Sequence, residues 1–256
     1  MSKKKFLAIL LSLVVLAAVV SAGVYWQTGR STEQERSQKS DSSKSDQSVR
    51  LTNLPKGVKS TDWDLILVNK WHKKDSEINF DKATVSGVTV DQRIKQAVLD
   101  FQSGARAAGY QTNLISGYRS IQYQKEVFAG VKKNNLAEGM NDAAAEKATA
   151  AVVQYPGSSE HQTGLAIDMA GSDAFERYPS LEANMDQFDS QKWLIDHAAD
   201  YGFVLRYPKE KEQMKQTGID YESWHFRYVG VANAKYMKAH NLTLEAYVKG
   251  LQEAGR

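Results

Sequence analysis

Apolar residues in the middle of the chain follow the spacing of an amphipathic helix that begins after Asp91. They recur at intervals of three and four, which places their side chains on one face of a helix. Asp91 is a suitable N-cap, and Gly109 is a suitable stop. We therefore predict a helix whose apolar face is buried in the core. The residues on this face are Ile94, Ala97, Val98, Phe101 and Ala105.

Short apolar runs bounded by turn residues predict the strands. The run at residues 65–68 predicts either a strand or a buried extended segment near the start of the domain. The other predicted strands lie at residues 110–118, 165–169, 203–207 and 221–229.

Helices are predicted between these strands. Their expected positions are residues 120–133, with Ser120 as N-cap, then 141–153, 191–201 and two short C-terminal segments. The helices differ in length, and neither a regular βαβ alternation nor a glycine-rich phosphate loop accompanies them. This arrangement favours an α+β fold over a doubly wound sheet.

The N-terminal segment has the layout of an export signal. Three lysines at positions 3–5 precede an unbroken apolar stretch at 6–20 and small residues at 21–23, with a plausible cleavage site after Ala22. The apolar character continues to Trp26, and the resulting length of about twenty residues is enough to span a bilayer. We expect a signal peptide or a membrane anchor at residues 1–26. In either case the rest of the chain is expected outside the cytoplasm.

Residues 27–50 are almost entirely polar or charged, and Val49 is nearly the only aliphatic side chain among them. Such a segment cannot bury enough apolar area to offset the entropy of ordering it. We expect a flexible tether with a root-mean-square reach of roughly 25–30 Å. Residues 51–256 are then expected to form one folded domain.

Composition and charge exclude several classes of function. The formal net charge is +3, and without the three N-terminal lysines the basic and acidic residues are equal in number. A neutral body gives no electrostatic footprint for nucleic acid. The chain has no cysteine, which excludes disulfides, thiolate metal ligands, cysteine nucleophiles and lipid attachment through cysteine. Any metal must be bound by His, Asp or Glu.

The segment at residues 159–168 carries the first candidate chemistry. His161 and Asp168 lie seven residues apart, and Gly164 between them permits a tight turn that could bring both side chains to one point. Asp168 interrupts an apolar strand, and a buried carboxylate must be paired, hydrogen-bonded or bound to metal. Taken alone, a histidine followed by an aspartate is more often a hydrogen-bonded structural pair.

A second segment adds Glu222 and His225, three residues apart and flanked by aromatic residues. If His225 joins His161 and Asp168, the set of two imidazoles and one carboxylate suits a catalytic zinc with a fourth position open to water. Glu222 would then stand beside that water as a general base. Taken alone, His225 would be interpreted as a packed core histidine.

Three strings together resemble the zinc D,D- and L,D-carboxypeptidases of the VanY type. They are SGYRS at residues 116–120, SEHQTGLAID at 159–168 and ESWHF at 222–226. Their order and spacing match as well, over approximately residues 65–229. The resemblance implies an α+β fold with a small antiparallel central sheet and flanking helices, shared with lysostaphin-like peptidases and hedgehog domains.

The resemblance also implies roles for individual residues. By motif, His161, Asp168 and His225 would bind Zn²⁺ and Glu222 would be the general base. Arg119 would contact the substrate near the scissile carbonyl or the terminal carboxylate, because a guanidinium can bind a carboxylate through two parallel hydrogen bonds. The remaining candidates for substrate binding are Ser116, Gln124, Ser159 and Trp224.

The expected activity is removal of the terminal D-alanine from peptidoglycan stem peptides, at the outer face of the cell membrane or in the cell wall. The sequence leaves D,D or L,D specificity open. One alternative is an endopeptidase on the same scaffold, and another is a non-catalytic wall-binding module that retains zinc. Glu222 argues against the second alternative, because a structural zinc needs no base. We expect a monomer, bound to the membrane through residues 1–26 if these are not cleaved.

Overall fold

The computed structural model describes residues 51–256, so the predicted signal or anchor and the predicted tether lie outside the described residues. The strands are β1 (Lys82–Val85), β2 (Val88–Asp91), β3 (Thr112–Ser116), β4 (Ala166–Gly171), β5 (Phe203–Tyr207) and β6 (Glu222–Tyr228). The helices are α1 (Lys95–Ala107), α2 (Ile121–Ala137), α3 (Asp142–Val152), α4 (Ser172–Arg177), α5 (Asp189–His197), α6 (Lys211–Thr217), α7 (Val231–Ala239) and α8 (Leu244–Glu253). Short 3₁₀ turns lie at Trp63–Leu65, Gln92–Ile94, Glu160–Thr163, Ala183–Gln187 and Ala198–Tyr201.

The central sheet has four strands in the order β3-β4-β6-β5, and every neighbouring pair is antiparallel. The strands β1 and β2 form a separate antiparallel hairpin. Helices flank this small sheet, so the predicted α+β class with an antiparallel centre is confirmed. Strand β4 is one of the two inner strands and is buried along its whole length.

Helix α1 supplies one side of the main core, as its apolar spacing predicts. Asp91 accepts a hydrogen bond from the backbone of Arg93 and caps the 3₁₀ turn that leads into the helix. Phe101 is fully buried, and its ring lies 5.5 Å from the rings of both Phe203 and Phe226 on the sheet. Burying one such side chain contributes about 1.5–3 kcal/mol.

The segment before β1 differs from one of the two alternatives predicted for it. Residues 65–68 do not form a strand: Leu65 ends a 3₁₀ turn, and the chain then runs extended with Val68 fully buried. The carbonyl of Ile66 accepts a hydrogen bond from the Arg227 side chain. The buried extended alternative is therefore correct, because a side chain of the sheet satisfies this backbone.

Several boundaries and elements also differ from the sequence predictions. The helix expected at 191–201 is α5 followed by the 3₁₀ turn at Ala198–Tyr201, and the strand expected at 110–118 is reduced to β3. The β1-β2 hairpin, α4 and α6 were not predicted. None of the helices within residues 51–256 is long and apolar enough to cross a membrane.

Candidate active site

Two neighbouring strands hold Asp168 and His225 side by side. The two residues are direct partners in the antiparallel pairing of β4 with β6. His225 Nδ1 lies 3.2 Å from Asp168 Oδ1, and both side chains are buried. The sheet alone therefore fixes the relative position of these two candidate ligands.

An irregularity in β3 brings Ser116 to the same place. Leu114 pairs with Met169 and Ser116 pairs with Asp168, so two steps along β3 span one step along β4. A bulge of this kind changes the direction of a side chain. The Ser116 hydroxyl accordingly donates a hydrogen bond to Asp168 Oδ2.

A second irregularity explains how Glu222 and His225 share one site. Residues three apart on a regular strand point to opposite faces of the sheet. Leu205 pairs with Phe226 and Tyr207 with Glu222, so two steps along β5 span four steps along β6. This break in register lets Glu222 Oε2 lie 3.3 Å from His225 Nδ1.

His161 comes from the 3₁₀ turn before β4 rather than from the sheet. Gly164 ends this turn with φ of +69°, in the left-handed region that glycine adopts without steric cost. His161 Nε2 then lies 3.4 Å from Asp168 Oδ2. The convergence of His161 and Asp168 across Gly164 is what the sequence spacing predicts.

The SGYRS motif forms two hydrogen bonds with the residue His161 in the turn before β4. The carbonyl of Gly117 accepts a 2.7 Å hydrogen bond from His161 Nδ1, and the backbone N–H of Arg119 donates to the His161 carbonyl at 3.1 Å. Gly117 must be a glycine here, because a Cβ atom would lie 2.4 Å from the carbonyl oxygen of Thr89. The hydrogen bond to Gly117 places the His161 proton on Nδ1 and leaves Nε2 free.

These three residues fit a metal ion. One ligand atom from each of His161, Asp168 and His225 can be chosen so that all lie within 4.8 Å of one another, and all three residues are buried. Asp168 Oδ1 has no hydrogen-bond partner within the described part of the chain, which is costly for a buried carboxylate unless another group satisfies it. Two imidazoles and a carboxylate form the donor set of many catalytic zinc sites.

The pKa values of His161, His225 and Asp168 in the metal-free protein are shifted by burial and by neighbouring charges. Burial and then the nearby Arg119 lower the pKa of His161, against the opposing effect of Asp168. Burial also disfavours charge on His225, but the nearby carboxylates of Asp168, Glu160 and Glu222 outweigh it and raise its pKa well above the usual value. Burial would raise the pKa of Asp168, yet the two histidines hold it well below the usual value.

Arg119 lies at the edge of this group with 23% of its side chain exposed. Its Nη2 lies 3.3 Å from both Ser116 Oγ and Asp168 Oδ2, and its Nη1 donates to Gln124 Oε1 at 3.3 Å. Gln124 is itself held by a 2.8 Å hydrogen bond to the Gln154 carbonyl. The guanidinium is therefore oriented by several partners while part of it faces solvent.

The other two sequence candidates occupy different positions. Ser159 is buried and immediately precedes the turn that carries His161. Trp224 is half-buried and packs against a small apolar cluster that includes Ala170 and Met185. Trp224 is therefore part of the wall between the sheet and this cluster.

Sequence reasoning missed a buried ionic group beside His225. Glu160 is buried and accepts hydrogen bonds from Arg206 and Arg227, which are also fully buried. Arg206 interrupts the apolar strand β5, as Asp168 interrupts β4, and the same reasoning could have identified it. Arg227 lies in the more polar strand β6, where this signal is absent. Tyr207, whose ring centroid lies 4.8 Å from that of His225, was also not singled out.

An antiparallel α+β fold that presents a buried His/Asp/His group beside a partly exposed glutamate is typical of metal-dependent hydrolases. Comparison with known families is more specific. The chain belongs to the VanY family, described as D-alanyl-D-alanine carboxypeptidase, whose model matches residues 87–231. This confirms the resemblance drawn from the three motifs.

Individual relatives share sequence with this chain, and those of solved structure share its fold as well. A putative carboxypeptidase of Bacillus subtilis, YodJ, is 36% identical over 180 residues, which are 70% of this chain and 60% of that protein. The match thus spans less than two thirds of the length of that relative. The zinc complex of a VanY D,D-pentapeptidase mutant from a VanB-type resistance cassette is 32% identical, with a TM-score of 0.63 over 73% of this chain and 99% of the other. The LdcB LD-carboxypeptidase is 34% identical, with a TM-score of 0.54 over 69% and 75% of the two chains.

Proposed function

We propose that this chain is a zinc-dependent carboxypeptidase that removes the terminal D-alanine from peptidoglycan stem peptides. The observation that carries this proposal is the convergence of Glu222 and Arg119 on the buried group of His161, Asp168 and His225. The VanY structure with Zn(II) and the names of the relatives support it.

In this proposal His161, Asp168 and His225 would hold the metal, and the ring nitrogens available for it are Nε2 of His161 and Nδ1 of His225. These are the ring nitrogens that face Asp168, at 3.4 Å and 3.2 Å from its two oxygens. The chemistry that zinc supplies when bound is Lewis-acid polarisation of a peptide carbonyl and activation of water.

Glu222 is the proposed general base. Its side chain is 24% exposed, whereas that of Asp168 is 4% exposed and its Oδ2 already accepts a hydrogen bond from Ser116. Glu222 can therefore meet a water and a substrate that enter from solvent, while Asp168 cannot. Its carboxylate takes a proton from the attacking water and later delivers it to the amine that leaves.

Arg119 is proposed to bind the substrate. Its hydrogen bonds to Ser116 and Gln124 hold the guanidinium in one orientation, so little entropy is lost when a substrate binds. A planar guanidinium can bind a terminal carboxylate through two parallel hydrogen bonds. This contact would select the end of a peptide over its interior.

The reaction itself is tested by incubating the purified protein with defined stem peptides. Mass spectrometry should show loss of a single alanine from a pentapeptide or a tetrapeptide, and the better substrate reveals D,D or L,D specificity. Activity should disappear with a chelator and return with zinc. Cleavage within the stem peptide or a cross-bridge would instead establish an endopeptidase, and no cleavage of any of these would overturn the proposal.

We also propose that the domain acts outside the cytoplasm as a monomer. The basic start, the apolar stretch at 6–20 and the polar residues 27–50 support export, followed by cleavage or anchoring in the membrane. Protease added to intact cells should degrade the domain. Protection equal to that of a cytosolic control protein would contradict export.

A further inference from the structure

A buried carboxylate lies behind His225, on the side away from the proposed metal position. Glu160 Oε2 is 3.5 Å from His225 Nε2, while His225 Nδ1 faces Asp168 and Glu222. Glu160 Oε2 and His225 Nε2 are both buried, and neither has a hydrogen-bond partner among the residues that the structure describes. These two atoms are therefore available to each other.

The second oxygen of Glu160 is fully used. Oε1 accepts a 2.9 Å hydrogen bond from Arg206 Nε and a 2.6 Å hydrogen bond from Arg227 Nη1. The side chains of Glu160, Arg206 and Arg227 are completely buried. The two guanidinium groups thus fix the direction of the other oxygen of Glu160.

Both arginines are in turn held by more distant parts of the domain. Arg206 forms two hydrogen bonds, of 2.9 and 2.6 Å, with the carboxylate of Glu245 on α8. Arg227 donates to the backbone carbonyls of Asp64 and Ile66 in the segment before β1. Glu160 therefore cannot rotate without breaking this network.

A histidine that binds a metal through one ring nitrogen usually donates the other N–H to a carboxylate or carbonyl, which fixes its tautomer and orientation. Gly117 performs this function for His161. We infer that Glu160 performs it for His225, as a positioning residue. Its Oε2 accepts a hydrogen bond from the Nε2–H of His225, which leaves Nδ1 unprotonated and directed at the metal. This inference rests on the proposed function, since it assumes that His225 is a zinc ligand.

The test compares two substitutions of the same chemical type in one network. In Glu160→Gln the amide must either oppose the His225 N–H with a donor or turn its donor toward the arginines. Zinc affinity, measured by competition with a chelator, should fall about 10- to 100-fold, the usual effect of losing such a partner. The control Glu245→Gln removes a charge from the same Arg206 without touching His225, and its zinc affinity should stay within about threefold of wild type.

Stability measurements separate positioning from a purely structural role. Zinc that binds only the folded protein raises its free energy of unfolding by an amount set by its affinity. Glu160→Gln should show a zinc-dependent increase that is smaller by about 1.4 kcal/mol for each tenfold loss of affinity. If Glu160 only supports the arginines, the metal-free protein will be less stable while the increase with zinc equals that of wild type, and this result overturns the inference.

A measurement on the unmodified protein keeps the inference testable if Glu160→Gln does not fold. Nitrogen-15 NMR of the zinc-loaded, histidine-labelled protein should show His225 protonated on Nε2 and zinc-bound through Nδ1. Protonation on Nδ1 would overturn the inference. A wild-type chain that binds no zinc would instead overturn the proposed function.

Discussion

Asp168 and His225 are direct partners across β4 and β6, with 3.2 Å between Oδ1 and Nδ1. Two of the three proposed metal ligands are thus positioned by backbone pairing in the middle of the sheet. His161 reaches them from a turn, and its position depends on Gly117 and Gly164. The sheet therefore positions Asp168 and His225, whereas close backbone contacts at two glycines position His161.

The first prediction separates the base from the ligands. Glu222→Gln keeps the size of the side chain but cannot take a proton. Because general acid–base assistance contributes roughly a hundred- to ten-thousandfold, kcat should fall at least about a hundredfold. The variant should still contain close to one zinc per chain, as measured by metal analysis beside a turnover assay. Loss of zinc together with activity would make Glu222 a ligand.

The second prediction concerns the ligands themselves. His161→Ala and Asp168→Asn each remove a proposed ligand, so both should lose bound zinc and activity together. His197→Ala is the matched control, because that ring stacks on Trp193 at 4.3 Å and has no contact with the proposed ligands in the described structure. Metal analysis and a turnover assay provide the measurement. A fully active His161→Ala protein would remove this residue from the site.

The third prediction concerns recognition of the peptide end. Amidating the C-terminus of the substrate removes the charge that Arg119 is proposed to bind, so kcat/KM should fall at least about tenfold, equivalent to about 1.4 kcal/mol. Arg119→Lys should also be poor, since a point charge cannot reproduce the two parallel hydrogen bonds. Arg177→Lys, at an exposed position on α4, is the control. Equal rates on free and amidated peptides would favour the endopeptidase.

The fourth prediction tests the close approach at Gly117. In Gly117→Ala the new methyl group would meet the Thr89 carbonyl, so the free energy of unfolding should fall by about 1–3 kcal/mol. Gly130→Ala on α2 is a matched control with no atom within 4 Å of the added Cβ, and it should raise the free energy of unfolding by about 0.5–1 kcal/mol. Urea unfolding of both variants measures the difference, and equal stabilities would contradict the steric argument.

Local patterns were enough to predict helix α1, strand β5 and the three motifs, because spacing, caps and turn residues act over a few positions. The segment 65–68 was left between two alternatives, since its hydrogen bonds depend on Arg227 from a distant strand. The register shifts that direct the side chains of Ser116 and Glu222 into the site arise from pairing between strands. They leave no signal in the local sequence. A role for Glu160 was not predicted, because its partners Arg206 and Arg227 lie 46 and 67 positions away in the sequence.

The buried network around Glu160 extends beyond the stretch that defines the family. That stretch covers residues 87–231, whereas Glu245 follows it and the carbonyls of Asp64 and Ile66 precede it. A protein trimmed to the family boundaries would keep all three motifs and lose partners of both buried arginines. Removing one partner of a buried charge costs about 3–5 kcal/mol, a large fraction of the stability of a domain. We therefore expect a stable unit to include the segment before β1, whose carbonyls accept hydrogen bonds from Arg227, and helix α8, whose Glu245 pairs with Arg206.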